Sequence, residues 1–439
     1  MDAPDAPRPL PEPRRLVTPT RAALLASFRS HEMGSLLWIT GEVAVVVGGL
    51  AWWAAQPDRL PDWQSALLFA FAVLGMFDFV AAQFFANRKR LEDVRPDARF
   101  GPHTRDSLLA ATRRVQERLG LAGQRVRVYL AREKDVNAYA LRLELLPGWR
   151  IFNSVQLNRS IVHLLDEREL ESVIGHELGH VFPYSPVASR CLLIHALLAG
   201  VLTLVISHFL RHYDFYLGAP LLALGAARWV GFSTWTTQIR LVEFLCDDFG
   251  ARAAGLLPAM TTDLKMALEQ EARSTLLLRV MEAKRTHAHV PIEDLLQAYD
   301  DALPFGGVDT GQARAQMEQG IQRRLAQNEN SLRGFYNYIF KSGDTDEDAL
   351  LETIQRMRAI RGVAKVPVSP AALLSQPGGP DFSGIAALVA ALEAHPDHLL
   401  VSDAEEIDDR GSTHPNPSRR LLYLWRNREE LRTAPTDPA

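Results

Sequence analysis

Residues 176–180 read His-Glu-Leu-Gly-His. On an α-helix, His176 and His180 are one turn apart and project from the same face. Two imidazoles at that separation can bind one zinc ion, and Glu177 between them can reach the metal-bound water as a general base. The alternative is a surface helix with three solvated polar residues, but this spacing should arise by chance in roughly one chain in a hundred of this length. The motif therefore predicts a zinc-binding helix.

The flanking sequence indicates a helix at this position and a small β-sheet before it. Asp166 is a typical N-cap residue, and Pro183 ends the predicted helix after about residue 181. A Leu-Pro-Gly turn separates two strand-like stretches, which is typical of a hairpin. The predicted elements are a helix over 104–119, strands over 125–130, 136–143 and 150–157, and mainly helices after residue 235.

A third metal ligand is expected, because catalytic zinc sites generally have three protein ligands and a water. Glu243 and Asp247 lie one helical turn apart. We predict that Glu243 binds the metal and that Asp247 accepts a hydrogen bond from a ligand imidazole. Taken alone, this pair is more typical of a solvated helix face. Cys246 is a second candidate ligand, although core packing is the favoured interpretation, and Asp248 is predicted to be solvated.

Four apolar segments are each long enough to cross a bilayer, which requires roughly 20 residues. Short polar turns join the first to the second and the third to the fourth, so the sequence predicts two transmembrane hairpins. Four such segments disfavour the alternative of buried helices in a large soluble protein. The segments cover residues 36–56, 64–86, 191–210 and 215–235.

The distribution of basic residues predicts the orientation of these segments. Lysines and arginines cluster before the first segment and after the second, whereas the intervening turn contains only Arg59. The positive-inside rule therefore predicts a multi-pass protein of the cell (inner) membrane, with both termini and the metal site in the cytoplasm. Ionisable residues inside the segments are expected to pair, for example Arg228 with Glu42 or Asp78.

Composition excludes several other classes. The formal net charge is −4, which argues against a nucleic-acid-binding protein. The chain has two cysteines, which give no disulfide framework. Nothing in the sequence indicates an oligomeric state.

The motifs together resemble membrane-embedded zinc metallopeptidases of the HtpX type, whose superfamily includes the CaaX prenyl proteases. Two further stretches carry the resemblance: Asn-Ala-Tyr-Ala at residues 137–140, and Thr-His-Pro at 413–415 followed by Arg420. The family's Asn-Ala strand implies that Asn137 and Ala138 bind extended substrate as an added strand. The late element implies that His414 and Arg420 stabilise the oxyanion or orient the substrate. Their alternative is a capping turn and a surface arginine.

The resemblance implies an α-helical membrane protein with a gluzincin-like α+β peptidase core, in which a small β-sheet precedes the metal helix. It also implies one Zn²⁺ per chain and polypeptide substrates, namely misfolded or damaged membrane proteins. The alternatives are processing of prenylated C-termini and an inactive membrane scaffold or holdase. The predicted division is an N-terminal disordered or amphipathic segment (1–35), a first membrane hairpin (36–86), a peptidase core (100–186), a second hairpin (187–235), a third-ligand helix (236–255), a helical region of unknown role (256–411) and the His-Pro/Arg element (412–439).

Overall fold

The computed structural model describes residues 18–78, 88–187, 190–213, 215–287, 290–329, 347–403, 406 and 414–433. Side chains within 230–239 and at a few helix ends are outside this description. Residues 1–17 of the predicted disordered or amphipathic segment (1–35), and residues 79–86 at the end of the second apolar segment, therefore lie outside the described residues.

The protein is mostly helical. In chain order the described helices are α1 (Arg21–Ala54), α2 (Asp62–Gly75), α3 (Arg105–Arg118), α4 (Arg159–Leu164), α5 (Glu167–Val181), α6 (Leu192–Leu210), α7 (Ala219–Ala254), α8 (Leu256–Thr286), α9 (Ile292–Ala302), α10 (Thr310–Glu329), α11 (Glu347–Gly362), α12 (Pro370–Leu374), α13 (Phe382–Ala394), α14 (Pro417–Arg426) and α15 (Arg428–Thr433).

A small mixed sheet lies beside the metal-motif helix. Its four strands have the order β1-β4-β6-β5, with β4 and β6 parallel and the other neighbours antiparallel. The predicted hairpin is present, since β5 and β6 pair along their lengths. The strands are β1 (Arg88–Arg90), β4 (Arg127–Ala131), β5 (Ala138–Glu144) and β6 (Arg150–Asn158), and a separate short pair comprises β2 (Arg99–Phe100) and β3 (His103–Thr104).

Helix α5, which carries the motif, begins where the sequence predicts. The Asp166 side chain accepts a hydrogen bond from the Glu169 backbone N–H at 2.9 Å, and the Glu169 carboxylate accepts one from the Asp166 N–H at 2.8 Å. This reciprocal capping box satisfies two donors that the first turn would otherwise leave unpaired. The helix ends at Val181, directly before Phe182 and Pro183.

Two helices are longer than the sequence indicates. Helix α7 runs without a break from Ala219 to Ala254, so it joins the fourth apolar segment to the predicted third-ligand helix. Helix α1 likewise starts at Arg21 and includes the predicted amphipathic lead-in over 21–35. The physical reason is that no proline follows the first turn of either helix, so nothing removes a backbone donor at the expected boundaries.

Helices α5 and α7 approach each other closely through glycines. A Cβ on Gly179 would lie 2.9 Å from the Cys246 Sγ atom, and a Cβ on Gly250 would lie 2.6 Å from the Ser172 carbonyl oxygen. Both distances are shorter than packed heavy atoms allow. The side chains of the third-ligand segment therefore reach the metal motif because these positions lack a Cβ.

A buried carboxylate ties the hairpin to the start of α6. Glu144 at the end of β5 is fully buried and contacts three guanidinium groups. The N···O distances are 2.6 Å to Arg142, 2.9 Å to Arg150 and 2.8 Å to Arg190. Arg142 also donates to the Val181 carbonyl oxygen at 2.6 Å. The hairpin, the end of α5 and the segment before α6 are thus held together by charge-assisted hydrogen bonds.

Among the described residues, two helices are long and apolar enough to cross a membrane, Arg21–Ala54 and Leu192–Tyr213. Helix α2 is apolar but has 14 residues. The four predicted spans are therefore matched by two helices of spanning length in this part of the chain. Large apolar side chains are nevertheless exposed on α1, α2 and the first turns of α7, including Leu37, Val47, Phe71 and Leu221.

The ionisable residues of these helices pair with one another. Of the two predicted partners of Arg228, the structure has Asp78, at 2.5 Å. Glu42 instead contacts His195 at 2.8 Å and accepts a hydrogen bond from the Trp38 indole N–H at 2.9 Å.

The region after Leu256 contributes to two hydrophobic clusters. The first half of α8 and helices α13 and α14 pack into the main core with α3, α5 and the sheet. The second half of α8 forms a separate cluster with α9 and α10, around Leu276, Val290, Leu295 and Met317. Only the first of these clusters contributes to the metal site.

Candidate metal centre

Three donor atoms converge between α5 and α7. The Nε2 atoms of His176 and His180 are 3.2 Å apart, and each lies 3.3 Å from an oxygen of the Glu243 carboxylate. A tetrahedral zinc with metal–ligand distances near 2.0–2.1 Å separates its ligand atoms by about 3.3 Å. Among the described residues, His176, His180 and Glu243 form the group of side chains that could share one metal ion. The two histidines approach different oxygens of Glu243, and the three side chains together surround a position that one zinc ion could occupy.

The electrostatics of the site also favour a cation. Burial disfavours a charged His176, but its contacts with Asp247 and Glu243 prevail and raise its pKa to about 10. Burial likewise opposes ionisation of Glu243, yet the neighbouring histidines hold its pKa well below the usual range. Two buried carboxylates therefore stabilise positive charge at this position, which is what a divalent ion supplies.

Glu177 lies on α5 between the two histidine donors, and its side chain is buried. Burial raises the pKa of its carboxyl, while the positive charges of His176 and His180 act in the opposite direction. Glu177 faces the same cavity as His176. A carboxylate with a raised pKa is a stronger base than one in water, so the geometry suits a proton acceptor next to a metal-bound water.

Asp247 connects the metal motif to a distant part of the chain. Its Oδ1 atom is 2.9 Å from the Nδ1 of His176, and its Oδ2 atom accepts a hydrogen bond from the Nε of Arg420 at 2.8 Å. The Nη2 group of Arg420 contacts the same carboxylate and lies 3.0 Å from Asp263. The contact with Asp247 leaves the Nε2 atom of His176 directed toward His180 and Glu243.

The two late residues reach the site by different contacts. The Nδ1 atom of His414 is 2.8 Å from Glu243 Oε2, while almost half of the ring is exposed. Burial lowers the pKa of His414, but the Glu243 carboxylate more than offsets this effect and raises it. Arg420 is neither a surface residue nor a free cation, since its guanidinium is held by Asp247 and Asp263. Its contacts indicate a positioning role.

The prediction for one acidic residue was wrong, and a second acidic residue at the site was not predicted. Asp248, predicted to be solvated, is fully buried and contacts Arg21 at 2.8 Å and Arg252 at 3.3 Å. Asp263 was not predicted, because it lies on α8 outside any recognisable motif; burial raises its pKa to about 7 against the opposing effect of Arg420. Cys246 is packed against Gly179, and burial raises the pKa of its thiol, in keeping with a packing role.

A cleft of about 240 Å³ opens in front of these residues. Its lining includes Asn137 and Ala138 of the predicted substrate strand, together with Asp263 and Met266 of α8. Strand β5, which begins at Ala138, is the last strand of the sheet, and no described strand pairs with its outer edge. The cleft and the outer edge of β5 therefore both lie beside the candidate metal centre.

The chain matches a known protein family. No solved structure matches the chain significantly. The family model for peptidase family M48 matches residues 102–426, more than half of the chain, and this match covers both His176 and Glu243. The chain therefore belongs to peptidase family M48, a family of zinc metallopeptidases that contains HtpX and CaaX prenyl protease members.

Proposed function

We propose that the protein is a membrane-embedded zinc endopeptidase that cleaves misfolded or damaged membrane proteins on the cytoplasmic side. The observation that carries the proposal is the cluster of His176, His180 and Glu243, whose donor atoms lie 3.2–3.3 Å apart, with the buried Glu177 beside it. Membership of the M48 family supports the same chemistry. An inactive scaffold would be expected to lack one of these groups, and none is missing.

In this proposal His176, His180 and Glu243 hold one zinc ion, which supplies Lewis acidity to activate water and polarise the scissile carbonyl. Glu177 accepts the proton of the attacking water and passes it to the leaving amine. Its burial keeps the carboxylate unsolvated, which strengthens it as a base.

Two further residues support the chemistry from the late part of the chain. Arg420 fixes Asp247, and Asp247 fixes the ring of His176, so we assign Arg420 to positioning. His414 is partly exposed at the cleft and bonds Glu243, so we assign it to stabilising the developing oxyanion or orienting the substrate. Asn137 and Ala138 begin the open strand edge, along which an extended substrate would add as a further strand.

Two observations support membrane embedding. Apolar side chains are exposed on α1, α2 and α7, and the turn between α1 and α2 contacts the turn between α6 and α7. Arg211, after α6, contacts Asp58 in the turn between α1 and α2, so the two turns lie on the same side. Trp52 stacks on Phe209 near these turns, as aromatic residues do at a membrane surface. The opposite ends of α6 and α7 lead to the metal centre.

Zinc content tests the ligand assignment. The variants His176→Ala, His180→Ala and Glu243→Ala should each hold far less than the one zinc per chain expected of the unchanged protein, because two remaining ligands bind zinc weakly. Metal is measured by elemental analysis of the purified protein, with the exposed Glu117→Ala as the matched control. Full zinc retention in Glu243→Ala would transfer the third ligand elsewhere.

Glu177→Gln separates metal binding from catalysis. The variant should fold and keep its zinc but lose nearly all cleavage of an unfolded protein, since an amide cannot accept the water proton. Activity is measured as peptide release, with zinc content determined on the same sample. Cleavage at the unchanged rate would contradict the role of Glu177 as the base.

His414→Gln and Arg420→Gln should behave differently from each other. The His414 variant should keep its zinc and lower kcat on the order of a hundredfold, as expected for loss of an oxyanion contact. The Arg420 variant should in addition lower zinc affinity roughly 10- to 100-fold, because Asp247 loses the partner that holds it toward His176. Competition with a zinc chelator measures the affinity. Equal zinc affinities in the two variants would overturn the distinction.

Membrane topology tests the proposed compartment. Tags at the N-terminus, near Arg95 and at the C-terminus should be cytoplasmic, whereas tags near Arg59 and His212 should lie on the outer side. Protease accessibility in intact and permeabilised cells reports the location of each tag. A tag near Arg95 that is accessible from outside would place the metal centre in the other compartment.

A further inference from the structure

The turn that joins β5 to β6 presents apolar side chains to the surroundings. Pro147 and Gly148 form its centre, Gly148 has φ +88°, and the Trp149 N–H donates to the Leu146 carbonyl oxygen at 2.8 Å. This is a tight type II turn, in which a glycine provides the positive φ. Trp149 is 59% exposed and Ile151 is 47% exposed, although both lie in the β5–β6 hairpin. Two large apolar side chains are thus exposed near one another at the end of the hairpin, and clustered apolar exposure of this kind is typical of an interaction surface.

The same turn lies at the first turn of an apolar helix. The Leu193 N–H, in α6, donates to the Leu145 carbonyl oxygen at 3.1 Å, and Arg190 bonds Glu144 just before it. Helix α6 has 19 residues, which corresponds to roughly 28 Å at 1.5 Å per residue. A hydrocarbon layer about 30 Å thick requires the whole of that length. On the proposed membrane embedding, Leu193 and the neighbouring turn therefore lie near one boundary of the hydrocarbon layer.

Helix α1 contacts the segment before α6 close to the point where its own exposed apolar surface begins. The Glu32 carboxylate accepts the Val187 N–H at 3.1 Å, shortly before α6 begins. The exposed apolar surface of α1 starts one residue later, at Met33, which is 60% exposed. From there to Trp53 the helix covers roughly 30 Å at its standard rise. The start of the exposed apolar surface of α1 is thus joined by a hydrogen bond to the segment that precedes α6.

We infer that residues 145–151, the tip of the β5–β6 hairpin, lie in the headgroup layer and that their partner is the lipid bilayer. The inference rests on the membrane embedding in the proposed function. Tryptophan is suited to this layer because its ring is apolar while its N–H can bond polar groups. Arg150 is partly exposed next to it and provides a cation for lipid phosphates.

In this position, strand β5 connects the membrane surface with the cleft. Its Glu144 end lies at the membrane boundary, and its Ala138 end lines the cleft beside the metal centre. The open edge of β5 therefore leads from the bilayer surface to the candidate active site. A polypeptide segment that leaves the membrane can pair with this edge at once. The substrate class that the geometry favours is the juxtamembrane segment of a membrane-inserted chain, not a freely diffusing peptide.

Site-directed fluorescence in lipid nanodiscs tests the location of the hairpin tip. A fluorophore is attached to Trp149→Cys, to Leu67→Cys on α2 and to Leu296→Cys on α9, which replace residues that are 59%, 64% and 36% exposed. The native Cys191 and Cys246 are buried, so labelling is selective. Lipids with a headgroup-level nitroxide should quench the label at position 149, and iodide should not. The label at position 296 should show the reverse.

The outcomes separate the inference from the proposal beneath it. If the label at position 67 is not quenched by lipid, membrane embedding itself fails. If that label is quenched but iodide reaches position 149, the hairpin inference alone is wrong. If the label at 149 is shielded from iodide without quenching by lipid, the tip contacts protein, and the inference is equally overturned.

A cleavage assay tests the consequence for substrates. One cleavable segment is presented either attached to a membrane span or released from it. Trp149→Glu should lower cleavage of the attached form about tenfold relative to the released form, because a charged residue leaves the interface. Zinc content should stay unchanged, and Leu296→Glu should leave the ratio unaltered. An unchanged ratio in Trp149→Glu contradicts the guiding role of the hairpin, whereas failure of the unchanged protein to cleave either form contradicts the peptidase proposal.

Discussion

The candidate metal centre depends on how closely α5 and α7 pack. Gly179 faces Cys246 and Gly250 faces the Ser172 carbonyl, at distances that leave no room for a side chain. Each helix contributes half of the site, the two imidazoles from α5 and the carboxylates from α7. Side chains as short as Glu243 can meet a histidine on the facing helix only if the helix axes are near. The glycines are therefore part of the metal geometry, although none touches the metal position.

Charge compensation then determines which other elements must fold against this pair. Asp247 and Asp248 are adjacent, and both are buried. Asp247 is paired with Arg420 near the end of the chain, and Asp248 with Arg21 near its beginning. Burying these carboxylates without partners would be costly, so Asp247 is paired with both His176 and Arg420, and Asp248 with both Arg21 and Arg252. Early and late parts of the sequence thus each contribute a cation to the helix that carries Glu243.

Local patterns in the sequence predicted the parts of this structure that local physics controls. The capping box at Asp166, the β5–β6 hairpin and the position of α5 follow from nearest-neighbour preferences. The one-turn spacing of Glu243 and Asp247 was also the basis for predicting that both lie at the metal motif. Spacing could not predict the burial of Asp248 or the contact of Asp263 with Arg420, because both depend on residues more than a hundred positions away. Continuity of α7 was missed because the apolar composition changes midway while the backbone does not.

The unbroken course of α7 restricts how this chain can change length. The helix has 36 residues and carries both apolar turns and Glu243. Inserting one residue between them would turn the carboxylate by about 100° and raise it by about 1.5 Å, so it would face away from His176. Restoring the facing side takes about seven residues, which moves the site by roughly 10 Å along the axis. We therefore expect insertions and deletions to be tolerated outside α7, whereas the sequence of α7 itself varies by substitution.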